Sequence, residues 1–81
     1  MKISQLKDAD KTIGAKQTMK AIRRGQVSFV FVGSDCDTWV SEPLITLCQE
    51  SHIPYDVEHD MVELGRASHI KVKAAAVGVL R

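Results

Sequence analysis

The chain has 81 residues, 44% hydrophobic and 26% charged, which suits one folded domain with a thin core and excludes a disordered polyelectrolyte. No apolar run approaches the roughly 20 residues that cross a bilayer, and MKISQLKDADK lacks the apolar stretch of a signal peptide, so a cytoplasmic protein without membrane contact is expected. The net charge of +1 hides a strong segregation, with seven Lys/Arg against Asp8 and Asp10 in residues 1–25, eight acids and no base in 26–65, and four bases and no acid in 66–81.

In chain order, ISQLKD (3–8) reads as a short helix with Ile3 and Leu6 on one side. KTI (11–13) is a brief strand ending at Gly14. GAKQTMKAIRRG then gives a helix over 15–24 that stops at Gly25, a C′ glycine. Ala15, Thr18, Met19 and Ile22 fall on one side of it, and Lys16, Lys20 and Arg23 or Arg24 along another. VSFVFVG (27–33) is almost continuously apolar and rich in β-branched and aromatic residues, the mark of a strand buried on both faces.

SDCDTWVSEP (34–43) reads as a loop and a helix start, with Ser41 as N-cap and Pro43 in the first turn. Leu44, Ile45, Leu47 and Cys48 give that helix its apolar stripe, to about Ser51. IPYDVEH (53–59) alternates as a strand, DMVELGRASH (60–69) is a short helix interrupted near Gly65, and AAAVGVL (74–80) is a last buried strand. The α-β-α-β-α-β-α-β order predicts an α/β fold, a four-stranded sheet covered by helices on both faces. No repeat or linker divides the chain, so 1–81 is read as a single domain. Cys36 and Cys48 lack C-x-x-C spacing and read as two reduced thiols, one near a loop and one in a helix.

Reacting groups are not marked. Asp35, Asp37, Glu42 and Glu50 lie on a loop and a helix surface, where solvated carboxylates are normal. His52, His59 and His69 have no metal spacing, and Gly14 stands outside any phosphate-loop pattern. Neither catalysis nor a metal or cofactor is expected.

Binding is better supported. A helix N-terminus aims free N–H groups and partial positive charge at what lies beyond it, and a glycine before it lets the backbone approach a ligand closely. Lys16 and Gln17, in the first turn, both carry donors for guanine O6 and N7, and Gln17 can also accept from an amino group. Lys20 and Arg23 or Arg24 follow, placed for phosphates; the competing reading makes the run a solvated helix face. In ASHIKVKAAAVG (67–78), Ile70 and Val72 alternate with Lys71 and Lys73. They suit a loop that covers an unstacked base, or else they are the first core residues of the last strand.

GAKQTMKAIRRG, VSFVFVGSDCD, IPYDVEH and LGRASHIKVKAAAVGVL, in that order, resemble the kink-turn RNA-binding ribosomal proteins of the "seven Ae" and "thirty e" type, and most nearly their small bacterial ribosomal-protein-like members. The resemblance covers roughly residues 3–81. It implies a three-layer α-β-α sandwich with a four-stranded mixed sheet, like ribosomal protein thirty-e, and a ribonucleoprotein role. The RNA implied is a kink-turn, a sharply bent helix with tandem sheared G·A pairs beside a three-nucleotide bulge, in ribosomal RNA or a riboswitch. Carried over, Gly14 makes the close backbone approach, Lys16 and Gln17 read the guanines, and Lys20 supports adjacent phosphates. Ile70-Lys71-Val72 packs against the bulged nucleotides, and Leu64 and Gly65 shape that loop. Lys16-Gln17 stand where archaeal and eukaryotic members commonly have Asn-Glu. His69 stands where the family often has glycine, so a positive φ there would strain it.

Two rivals remain open on the sequence. One is an RNA-associated protein held by charge alone. The other is a protein-interaction module using Asp35, Asp37, Trp39 and Glu42, with Trp39 in a loop either as an anchor or as a cap on the core. A monomer is expected.

Overall fold

The structure is a computed structural model that describes all 81 residues. A 3₁₀ helix (Ile3–Asp8) leads into β1 (Lys11–Ile13), α1 (Ala15–Arg23), β2 (Val27–Val32), α2 (Thr38–Glu50), β3 (Tyr55–Asp56), α3 (Met61–Ala67) and β4 (Ala76–Leu80). The strands make one mixed sheet in the order β1-β4-β2-β3, with β4 antiparallel to β1 and β2, and β3 parallel to β2.

Two core layers follow from strand alternation. On one face Val27, Val30, Val32 and Ala76 meet Ala21 and Ile22 of α1 and Leu44 and Cys48 of α2. On the other, Phe31, Val77 and Val79 meet Leu6 of the 3₁₀ helix and Leu64 of α3. The expected α-β-α sandwich is therefore present. Simple alternation would put Val27 with Phe29 and Phe31, but a bulge between Val27 and Phe29 shifts the register against β4. That extra residue returns Val27 to the side of Val30 and lets VSFVFV fill both layers.

Several boundaries differ from the sequence reading. Helix α2 starts at Thr38 after Asp37, not at a Ser41 cap, so Pro43 is its sixth residue rather than a first-turn residue. Proline donates no N–H to the carbonyl four residues back, which here belongs to Trp39, a residue open to water. Trp39 consequently stands in a helical first turn, 76% exposed, and does not cap the core. Strand β3 pairs over two residues only, because the Asp56 carboxylate accepts the Glu58 amide at 2.7 Å and turns the chain away. β4 begins at Ala76 rather than Ala74, whose amide donates to the Met61 carbonyl instead of a strand. Helix α3 runs unbroken through Gly65.

All three α-helices close with the same pair of backbone bonds. Gly25, His52 and His69, each with φ between 56° and 69°, donate to Ile22, Gln49 and Arg66, while the next residues, Gln26, Ile53 and Ile70, donate to Ala21, Cys48 and Gly65. This is the Schellman closure, which satisfies two orphan carbonyls at each end. Ser-His-Ile occurs twice, at 51–53 and 68–70, and in both places histidine takes the left-handed position and isoleucine folds back onto a core layer.

Both cysteines are free thiols. Burial pushes Cys48 up to about 11, and burial together with the Asp37 and Asp35 charges raises Cys36. An unfolded thiol ionises near pH 8.5, so above that value the unfolded chain releases a proton that native Cys48 retains. Stability is thus full below about pH 8.5 and falls as pH rises toward 11. Urea unfolding at pH 8 and pH 10 is expected to give a smaller pH difference for Cys48→Ala than for the wild type.

Candidate nucleic-acid interface

One end of the sheet collects the segments of interest. β1 and β2 finish there and β4 begins there, with Ile13 opposite Val77 and Val32 opposite Ala76. The Gly14 amide donates to Ala76 O and the Gly33 amide to Ala75 O, both at 2.8 Å. Two successive carbonyls thus tie together the start of α1, the turn before α2 and the loop that precedes β4.

At the start of α1, Gly14 has φ 97° and ψ 150°, a conformation essentially confined to glycine. A Cβ placed there would meet nothing within 4 Å, so the backbone is open on that side. The Gly14 carbonyl accepts the Thr18 amide at 3.0 Å, while the amides of Ala15, Lys16 and Gln17 have no acceptor in the protein. No acid lies in this first turn and no side chain caps it. The neighbouring helix starts are different. Asp60 accepts the Glu63 amide at 2.8 Å and Asp35 accepts the Met61 amide at 2.9 Å at α3, and Asp37 carries its charge just before α2. Only α1 leaves its positive dipole end uncompensated.

Packing fixes which side of α1 faces outward. Thr18 is fully buried, its hydroxyl 3.0 Å from that of Thr12 on β1, and Ala21 and Ile22 enter the core. Lys16, Gln17, Lys20 and Arg23 are therefore exposed. The sole ion-pair contact in the molecule joins His59 to Glu63 at 3.1 Å, so all 11 lysines and arginines are unpaired.

The loop after α3 is held from beneath. Its first residue, His69, sits at φ 59°, the strained position raised by its place in the sequence. Gly65 supports the backbone beyond: a Cβ on it would lie 2.3 Å from the Val72 carbonyl and 3.1 Å from Lys73 Cα. Helix and loop touch because that methyl is missing. Ile70 is half-buried against the layer containing Leu64 and Phe31, whereas Lys71 is exposed and Val72 is 70% exposed.

Gly14, Lys16, Gln17, Lys71 and Val72 thus gather at one end of the sheet. Lys20 stands one turn along α1. Arg23 lies apart, about 13 Å down the helix axis from Gly14, in a groove where it shares the wall with Glu42 and Glu50. Ile70 and Val72, alike in sequence, separate into a buried anchor and an exposed tip. Trp39 and Val62 also reach this end with large exposed apolar surface. No three His, Cys, Asp or Glu side chains converge as a metal site, and no helix is long and apolar enough to cross a membrane.

This architecture has relatives. Residues 2–81 match the ribosomal protein L7Ae/L30e/S12e/Gadd45 family, and the chain belongs to it. RNA-binding protein YbxF of Geobacillus stearothermophilus is 38% identical over 69 residues, 85% of this chain and 84% of the relative. An RNA-binding protein of Geobacillus sp. strain WCH70 is 33% identical over the full length of both. Among solved structures, a Bacillus halodurans protein of unknown function superposes with a TM-score of 0.89 at 29% identity, covering 98% of this chain and 83% of that one. The Giardia lamblia 15.5 kD RNA-binding protein shares the fold with a TM-score of 0.88 at 22% identity, covering 98% and 70%.

Proposed function

We propose that this protein binds structured RNA, and specifically a kink-turn with tandem sheared G·A pairs, holding it in its bent form. The observation that carries the reading is the start of α1: three unpartnered amides, an open glycine backbone and unpaired cations, uncompensated by any acid, beside an exposed apolar loop tip. The relatives named as RNA-binding proteins support the coarser half of it.

An ordinary A-form major groove is too deep and narrow for side chains to read. A kink opens it, and the α1 start then enters with Lys16 and Gln17 donating to guanine O6 and N7, Gln17 also accepting from an amino group. Gly14 permits close approach of the phosphate backbone, and Lys20 holds the next phosphates. Lys71 and Val72 receive the bulged nucleotides on a loop that Ile70 anchors, and Arg23 adds only long-range attraction. A protein that binds only the bent state draws free RNA into it by mass action. The function is one of binding, by a monomeric single domain in the cytoplasm, with ribosomal RNA or a riboswitch as the source of the kink-turn.

The test is a titration in Mg²⁺ buffer at about 100 mM salt, where charge-driven binding is weakened but still visible. A kink-turn RNA is expected to bind about a hundredfold more tightly than the same RNA with Watson–Crick pairs in place of its G·A pairs. Gln17→Ala is expected to lose about tenfold on the first RNA and little on the second. Equal affinity for both RNAs reduces the function to charge-driven RNA association.

A further inference from the structure

Trp39 is the sole tryptophan and the most exposed of the large apolar side chains. It stands in the first turn of α2, at the end of the sheet that carries Gly14 and Val72. An indole this exposed removes little apolar area from water in the free protein, so packing explains it poorly. Beside it is a shallow recess between α1 and α2, bordered by Ala15, Lys16, Met19, Trp39, Val40 and Pro43. Five of these six are apolar, and the sixth is the lysine at the start of α1.

We infer that an unpaired nucleobase of the bound RNA, flanking the kink, stacks on Trp39 in this recess. The inference rests on the RNA-binding reading and extends that surface from α1 onto α2. Two features select a nucleotide over other occupants. The recess is continuous with the α1 start through Ala15 and Lys16, so a strand leaving the unpartnered amides reaches Trp39 without crossing bare surface. Charge also differs on the two sides of Trp39: the recess has a single cation, whereas the groove that shares Met19, Trp39 and Pro43 with it contains Glu42 and Glu50 with Arg23. A polyanion is admitted at the Lys16 end and repelled at the other. Stacking tolerates any base, since each presents a π face.

The single tryptophan is its own reporter. Saturating the wild-type protein with a kink-turn RNA bearing four-nucleotide single-stranded tails on every end is expected to quench tryptophan fluorescence by about half or more, with a blunt-ended version quenching far less. Removing the tails is expected to weaken binding about tenfold, the scale of one base stacked on an aromatic side chain. That difference should vanish in Trp39→Ala and persist in Trp39→Phe, which keeps a stacking ring. Tight binding of both RNAs with unchanged fluorescence and no effect of Trp39→Ala overturns the inference, leaves kink-turn recognition standing and returns Trp39 to a protein-docking role. Binding of neither RNA overturns both.

Discussion

Replacing Gly65 by alanine is expected to lower stability by about 1–3 kcal/mol, as overpacking at a filled contact does, and to weaken kink-turn binding about tenfold or more. Two effects oppose each other. Alanine is favoured over glycine inside a helix by about 1 kcal/mol, but its Cβ would sit 2.3 Å from the Val72 carbonyl, with Lys73 Cα and Val72 C both at 3.1 Å. The obstructing atoms are backbone, which cannot swing aside as a side-chain tip does, so either α3 or the loop must move and the steric term wins. Movement of the loop displaces Lys71 and Val72 while leaving the α1 start intact. The loss in binding should therefore fall on RNA with its bulge present and spare discrimination of the G·A pairs. Urea unfolding and the RNA titration read the two effects separately. A Gly65→Ala protein more stable than wild type would show that loop and helix are not in contact.

Gly14→Ala is expected to have the second large effect, through a different route. Nothing in the protein obstructs a methyl there, but φ 97° with ψ 150° is a conformation that costs a non-glycine residue about 1–3 kcal/mol. The new methyl also projects into the space through which an RNA backbone would approach the free amides. Stability should fall by that amount and RNA affinity by more than tenfold. Gly25→Ala is the matching control, because Gly25 has φ 69°, open surroundings and a place at the far end of the same helix. It should lose stability without losing affinity. Equal affinity losses in both variants would assign the effect to strain in α1 rather than to contact with RNA.

Sequence alone revealed what depends on short-range pattern. Gly14 and Gly25 bracketed α1, the apolar run at 27–33 marked the double-sided strand, and Lys16 and Gln17 stood out because a helix start with donors has a chemistry of its own. It misled where a local signal had a tertiary override. Pro43 was expected within one turn of a helix start, yet α2 begins at Thr38, and the carbonyl that Pro43 leaves without its helical partner belongs to Trp39, an exposed residue. Gly65 looked like a helix interruption, but its role is set by a carbonyl seven residues away and visible only in space. Nothing in the alternation of Ile70 and Val72 distinguished the anchor from the tip. One missed signal was readable: Ser-His-Ile occurs twice, and two identical tripeptides each following a helical stripe announce two identical helix endings, one of which shapes the candidate RNA loop.

The strand made last is the one on which the sheet depends. β4 lies between β1 and β2, and without it only the two-residue pairing of β2 with β3 remains. A ribosome producing this chain from its N-terminus thus holds a polypeptide with at most that one short pairing until residues 76–80 have left the exit tunnel. Its apolar strands stay largely unpaired until then, and the candidate RNA-facing edge, tied to Ala75 and Ala76, comes into being in the same step as the fold itself.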